Sequence, residues 1–249
     1  MNTLDVRVPG IGAWSPTQVD WTLLRESLRG QGNQSAPAAR PAAEVLPQAE
    51  RRRAPATVLL ACDVAAQACA AAGRDPANLP CVFASAHGEV SISDEMCTTL
   101  ARAPRELSPT RFHNSVHNAP VGYWTQAVHC HAASNALSAA DGTLAAGLLE
   151  AAALAHADAT PVLLVVYDAA ANGPLADLLG ADASFAFALV LDPAADAQGA
   201  RLRLRHARSD DDAATQTGID LLRALANPAP ARLRVAAGAG RVLELEIKA

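Results

Sequence analysis

Leu137-Ser138-Ala139-Ala140-Asp141-Gly142 leads directly into the apolar run Thr143 to Ala157, and the run is followed by Val162-Leu163-Leu164-Val165-Val166. The order reads as a strand, a tight turn, a helix and a second strand. Gly147, Glu150 and His156 interrupt the helical stretch, which makes it too polar to span a bilayer. The second strand is apolar at every position, the mark of a strand covered on both faces. A strand–helix–strand unit with a fully buried strand implies an α/β layered fold with helices on both faces of one mixed sheet.

The same alternation extends in both directions. Val6 and Val8 alternate with Asp5 and Arg7 in a first strand from Leu4 to Pro9, and Gly10-Ile11-Gly12 is expected to turn the chain. Trp21, Leu23, Leu24 and Leu28 fall at helical spacing behind the start signal Pro16-Thr17. Residues 30–50, rich in Gly, Gln, Ser, Pro and Ala, read as a flexible insert. A helix over Ala54 to Ala72 closes at Gly73, followed by a strand at Cys81 to Ser85 and a helix around Ser93 to Ala103. Phe112 to Pro120 reads as a polar loop, and Tyr123 to Cys130 as helix passing into a strand that continues to Leu137. Further strands are expected at Phe185–Leu191, Leu202–His206, Ala231–Ala236 and Arg241–Ile247, with a helix over Thr215 to Ala226. All 249 residues fit one domain.

Composition narrows the function. Apolar residues make up 51% of the chain and aromatics 4%, which favours tight helix–sheet packing over an aromatic binding surface. A net charge of −5 argues against nucleic-acid or anionic-membrane partners. The basic run Arg51-Arg52-Arg53 reads as a solvated helix start or a partner-facing edge. The five cysteines, Cys62, Cys69, Cys81, Cys97 and Cys130, are odd in number and irregular in spacing. Buried reduced thiols in a cytoplasmic protein are the expectation. No charged-then-apolar leader begins the chain.

Three stretches together resemble the N-terminal half of a β-ketoacyl synthase, of thiolase-like fold. They are Val6-Arg7-Val8-Pro9-Gly10-Ile11-Gly12-Ala13-Trp14-Ser15-Pro16, Ser115-Val116-His117-Asn118-Ala119-Pro120-Val121-Gly122, and the turn and helix from Ser138 with the strand to Val166. Continuing through Tyr123-Trp124, the second stretch most resembles short chain-length-factor-like proteins of type II polyketide systems, including aryl polyene systems. The resemblance places the family's nucleophilic cysteine at Ala139. It also implies catalytic histidines from a C-terminal half, yet beyond residue 192 only His206 is present. Condensation needs a thiolate, oxyanion donors and histidines that stabilise the decarboxylating unit, so a non-catalytic subunit without cofactor is implied. Its implied partners are an active ketoacyl synthase or a second copy of itself, with acyl carrier protein as a further candidate.

The remaining candidates each have a plainer reading. Ser138 is the alternative nucleophile for an acyl-thioester hydrolase or acyltransferase, but neither glycine of a G-x-S-x-G elbow flanks it, and a turn serine accounts for it. Asp141 reads as a helix N-cap or an acid, and His117 as a base or part of a loop network with His113. His129 and His131 share a face if they lie on a strand, which permits a metal pair, but no further ligand cluster accompanies them. His87-Gly88-Glu89 reads as a strand-to-loop junction. In the family the strand before the nucleophile turn pairs antiparallel with a second subunit. By resemblance that is Val128 to Leu137, which makes Val128, Cys130 and Ala132 interface candidates, with Tyr123 and Trp124 as anchors or as core. An acyl-binding module without turnover is a third reading.

Overall fold

The computed structural model describes residues 3–32, 40–171, 173–180, 182–209 and 215–248. In chain order the elements are β1 (Leu4–Trp14), α1 (Trp21–Leu28), α2 (Gln48–Arg53), α3 (Ala56–Ala71), β2 (Cys81–Ala84), α4 (Val90–Arg102), α5 (Pro109–Asn114), α6 (Ala119–Ala127) and β3 (Ser134–Leu137). There follow α7 (Thr143–Asp158), β4 (Val162–Asp168), α8 (Pro174–Leu179), β5 (Phe185–Asp192), β6 (Ala200–Arg208), α9 (Gly218–Ala226), β7 (Ala231–Ala236) and β8 (Arg241–Lys248). The strands form one mixed sheet in the order β3-β2-β4-β5-β1-β6-β8-β7. β3, β2 and β4 run parallel, and every other pairing is antiparallel. No described helix is long and apolar enough to cross a membrane.

Two cores lie on opposite faces of the sheet. One gathers α3 and α6 against Leu163, Val165 and Tyr167 of β4 and Ala186, Ala188 and Val190 of β5. The other gathers α1, α7 and α9 against Val162, Leu164, Leu189, Leu202 and Leu245. β4 therefore contributes alternate residues to each core, as its uninterrupted apolar run requires. α3 is buried on most of its circumference, from Thr57 to Cys69. It packs on β1, β4 and β5.

That packing corrects the first turn. β1 does not end at Pro9 but runs through Gly10 and Gly12 to Trp14. A Cβ at Gly10 would lie 2.3 Å from the Ala68 carbonyl oxygen, and one at Gly12 would lie 2.1 Å from that of Val64. The glycines bring strand and helix backbones together and do not turn the chain. Asp63 and Gln67 tie the same contact from the helix side. Gln67 Oε1 accepts from the Ala13 N–H at 3.1 Å, and Asp63 accepts from Ala43 N–H at 2.8 Å and from Gln67 at 3.0 Å.

Three other expectations change. Within the expected insert, residues 33–39 lie outside the described residues, while Ala43 and Leu46 are buried against α3 and residues 48–53 form α2. The arginine run thus ends a helix and does not start one. The expected loop from Phe112 contains the last turn of α5, started by Ser108, whose Oγ accepts from the Arg111 N–H, and by Pro109 in the first turn. The expected strand from Val128 shortens to Ser134–Leu137. Val128 caps α6, His129 is left-handed at φ 55°, and Cys130 N–H closes back on Thr125 O at 2.9 Å. This is a Schellman ending with histidine where glycine is usual, so the signal for the helix end was missing from the sequence.

Four cysteines, Cys62, Cys69, Cys81 and Cys130, are buried and unbridged, and Cys97 is exposed. Burial, then the neighbouring Cys130 sulfur, pushes the Cys69 and Cys81 thiols up to about 12. These thiols are unreactive at neutral pH.

Candidate functional site: a closed turn at the parallel strand ends

The parallel strands β2, β3 and β4 all end on the same side of the sheet, where open α/β sheets place their sites. Ser85 to Gly88 leave β2, Ser138 and Ala139 leave β3, and Asp168 ends β4. Asp168 organises the first of these segments. Its carboxylate accepts from Ser85 Oγ at 2.7 Å, from Ala86 N–H at 3.2 Å and from His87 N–H at 3.1 Å. Ser85 Oγ in turn accepts from Gly88 N–H at 2.8 Å. Next to it, Glu89 is buried and accepts from Thr57 Oγ1 at 2.6 Å. From the sequence, Glu89 is placed only within a strand-to-loop junction, and Asp168 is not singled out. The available signal for Asp168 was a carboxylate ending an otherwise apolar strand.

Replacing Asp168 with alanine leaves three donors without their acceptor. The expected cost is about 2 kcal/mol, with faster hydrogen exchange at Ala86 and His87. Urea denaturation and amide exchange measure both, and an unchanged midpoint would show that water replaces the carboxylate.

Ala139 sits exposed at the turn and offers only a methyl group. Its N–H donates to Thr143 Oγ1 at 2.9 Å, and Thr143 Oγ1 donates to the Ala140 carbonyl at 2.7 Å. Gly142 N–H donates to the Ala139 carbonyl at 2.9 Å. Ala140 is left-handed at φ 48°. The N–H groups of Ala139 and Gly142 are therefore used within the turn. The start of α7 is also covered: a Cβ on Gly142 would lie 3.2 Å from the Ala237 carbonyl carbon and 3.3 Å from Gly238 N. The connection between β7 and β8 thus packs against the start of α7.

The sequence candidates around the turn divide as follows. Ser138 Oγ donates to the Ala86 carbonyl at 3.1 Å. His117 Nε2 lies 3.1 Å from the Ser85 carbonyl and donates to it, since a carbonyl only accepts. Both side chains thus pin the β2 exit, and no hydrogen bond joins them. Asp141 is exposed and is not the helix cap; Gly142 holds that position without a side-chain bond. His206 lies on β6, five positions along the sheet from β3, a separation of about 24 Å. His129 and His131 are on the turn after α6 and not on a strand, which removes the shared-face geometry for a metal pair.

The aromatic and interface candidates also separate. Trp124 has 0% exposure and is a core residue. Tyr123 is half-buried and donates to Asn114 Oδ1 at 3.1 Å. Burial, then the Glu50 carboxylate, pushes its phenol up. With His113, Glu50 and Arg53 it lines a cavity of 340 Å³. Cys130 is buried, its Sγ donating to the Leu79 carbonyl at 3.4 Å. Val128 packs against the α3 core and Ala132 is half-buried. The exposed strand surface is therefore β3 itself.

Residues 25–237 match the family described as Beta-ketoacyl synthase, N-terminal domain. The chain belongs to this family. Among solved structures it is similar to a chain of the ketosynthase (ApeO)–chain length factor (ApeC) complex from Xenorhabdus doucetiae. There the identity is 23% and the TM-score 0.75, over 98% of this chain and 99% of that one. A type II polyketide synthase ketosynthase with acyl-carrier protein, AntDE:AntF, matches at 15% identity and TM-score 0.75 over 100% of both chains. The ishigamide ketosynthase/chain length factor matches at 11% identity and TM-score 0.71, over 98% and 99%. These likenesses establish a ketosynthase-type fold along the chain. No curated protein matches it.

Proposed function

We propose that this β-ketoacyl synthase family member is a non-catalytic subunit of the chain-length-factor kind. It pairs with an active ketosynthase in polyketide or fatty-acid-type biosynthesis, with aryl polyene systems as the nearest context. The carrying observation is the turn at Ala139. A methyl stands at the expected thiol, the Ala139 and Gly142 N–H groups are bonded within the turn, and the Ala237–Gly238 backbone packs on the helix start. A condensing centre needs a thiolate and free oxyanion donors; a methyl in place of the first and the engagement of the Ala139 N–H by Thr143 support the reading.

Two surfaces support pairing. β3 is an edge strand with exposed Ser134 and Asn135, and such edges need cover. Large exposed apolar side chains, Leu100, Phe112, Val116, Leu178 and Leu179, lie on or beside α4, α5 and α8, and α4 packs on the other two. Apolar surface gathered in this way marks an interaction site. The reading extends to a dimer in which the second subunit pairs with β3, and to a cytoplasmic location alongside the synthase.

Co-expression with the ketosynthase of the same gene cluster tests the proposal. A stable one-to-one complex is expected on size exclusion, with no thiol release from acyl-CoA or acyl-carrier thioesters by the isolated chain. Thiol release that Ser138→Ala removes would instead establish a hydrolase or transferase.

A further inference from the structure

β3 offers a second subunit more than backbone. Cys81 N–H donates to the Ala133 carbonyl and Ser85 N–H to the Leu137 carbonyl, so the odd-numbered residues of β3 bond toward β2. Ser134 and Ala136 face outward. Side chains alternate between the two faces of the sheet. Ala136 packs toward the core of α3 and α6, and Leu137 toward the core of α7. Asn135 shares the α7 face with Leu137, and its Nδ2 donates to Glu150 Oε1 at 2.8 Å. Both side chains are exposed. Glu150 thus stands beside the open edge, and no cation pairs with it among the described residues. Its own stretch of chain supplies none. Between Arg111 and Arg201 the sequence has eight acids and neither lysine nor arginine, so β3 and α7 carry no such cation to balance Glu150. Asp141, exposed in the turn beyond β3, adds to the same sign.

We infer that Glu150 sets partner choice at the β3 edge: it selects a subunit that presents lysine or arginine opposite Asn135, and it disfavours a second copy of this chain. The inference rests on the pairing through β3 proposed above. Symmetry decides against the second copy. Two copies joined edge to edge are related by a two-fold axis, which makes their β3 strands antiparallel. Outward residues then face outward residues. With Ser134 and Ala136 outward, three registers remain, in which Asn135 faces Ala133, Asn135 or Leu137 of the other copy. None of these is a cation. The two Asn135 Cα atoms stand roughly 5 to 9 Å apart in these registers. The two Glu150 side chains therefore share one face of the joint with no counter-charge between them, and like charges across a joint oppose association. A different subunit is free of that symmetry. A lysine or arginine opposite Asn135, about 5 Å away across the strands, reaches Glu150.

The test uses the full chain in two differently tagged copies and the ketosynthase of the same gene cluster. Pairing is measured at about 0.1 M salt, where surface charges act over about 10 Å. Glu150→Gln keeps an acceptor for Asn135 and removes the charge. It is expected to weaken ketosynthase binding roughly fivefold, and Glu150→Lys roughly thirtyfold, as one exposed charge pair is lost and then reversed. Wild-type copies are expected to pair weakly with each other. A wild-type copy is expected to pair about fivefold more tightly with a Glu150→Lys copy, an advantage that about 0.5 M salt removes. Asp158→Lys, at an exposed site about 12 Å farther along α7, is expected to change neither pairing, and thermal melting checks that each variant folds. Unchanged ketosynthase binding by Glu150→Lys, an equal loss in Asp158→Lys, or wild-type copies that pair as tightly as the mixed copies would each overturn the inference. A wild-type chain that binds no ketosynthase overturns the pairing reading instead, and the mixed-copy comparison still decides the role of Glu150.

Discussion

Replacing Ala136 by proline is expected to abolish co-purification with a ketosynthase while leaving the isolated chain folded. The separation of effects follows from the hydrogen-bond phase of β3. Cys81 N–H donates to the Ala133 carbonyl and Ser85 N–H to the Leu137 carbonyl, with Phe83 opposite Ala136. In a parallel strand the backbone groups of successive residues face opposite sides. Asn135 and Leu137 thus bond toward β2, and Ser134 and Ala136 point away from it. Proline at 136 removes an N–H that no described residue of this chain uses, and edge strands tolerate that. The same ring removes a donor from the strand a second subunit would pair with and blocks close approach. The pairing loss is expected to be about a hundredfold, or roughly 2.7 kcal/mol. The isolated chain should lose at most about 1 kcal/mol. Pull-down and thermal melting read the two effects separately. Undiminished co-purification would move the interface away from β3, and a collapsed melt would show that the outward groups are used within the chain.

Gly12→Ala is expected to have the largest effect on stability. The added Cβ would meet the Val64 carbonyl at 2.1 Å, Gln67 Cβ at 2.8 Å and Ala68 N at 2.9 Å. Two of these are backbone atoms of α3, which cannot rotate aside, so strand and helix must separate. Overpacking of this kind costs about 3 kcal/mol, and for a chain of this size that lowers the melting temperature by roughly 10 °C. The shift also disturbs the Ala13–Gln67 bond, which lies in the same contact. Gly122→Ala provides the opposite case. Gly122 is exposed in α6 with nothing within 4 Å of the added carbon, so a gain of about 0.5 to 1 kcal/mol is expected from helix propensity. If both glycine variants melt together, the close approach of β1 to α3 does not limit stability.

The large elements were legible where one pattern dominated. The apolar run of β4, the long α7 and the hairpin β7–β8 fall where periodicity and turn residues place them. The misreadings have physical causes. Gly10 and Gly12 carry the same composition as a turn, but their function is contact with a helix more than fifty residues away. The end of α6 used His129 in a left-handed conformation where glycine would have announced it. α5 is six residues long, too short for periodicity to separate it from a polar loop.

At the site, Ala139, Ser138 and His117 were legible as residues, but the carbonyls of the β2 exit that Ser138 and His117 bond came only with the fold. Asp168 came from a separate strand and was missed, because a lone acid at a strand end has no local signature.

By itself the sequence determined that this chain is a layered α/β protein of the β-ketoacyl synthase kind, and that no thiol stands at the expected nucleophile position. The layering is carried by residue type and spacing, and the family and its nucleophile position by the resemblance of three local stretches. Only the tertiary structure decided that the turn is closed. Ala237 and Gly238 cover the start of α7, and Asp168 holds the exit of β2. These contacts join residues about eighty or more positions apart, and such distances leave no trace in local periodicity.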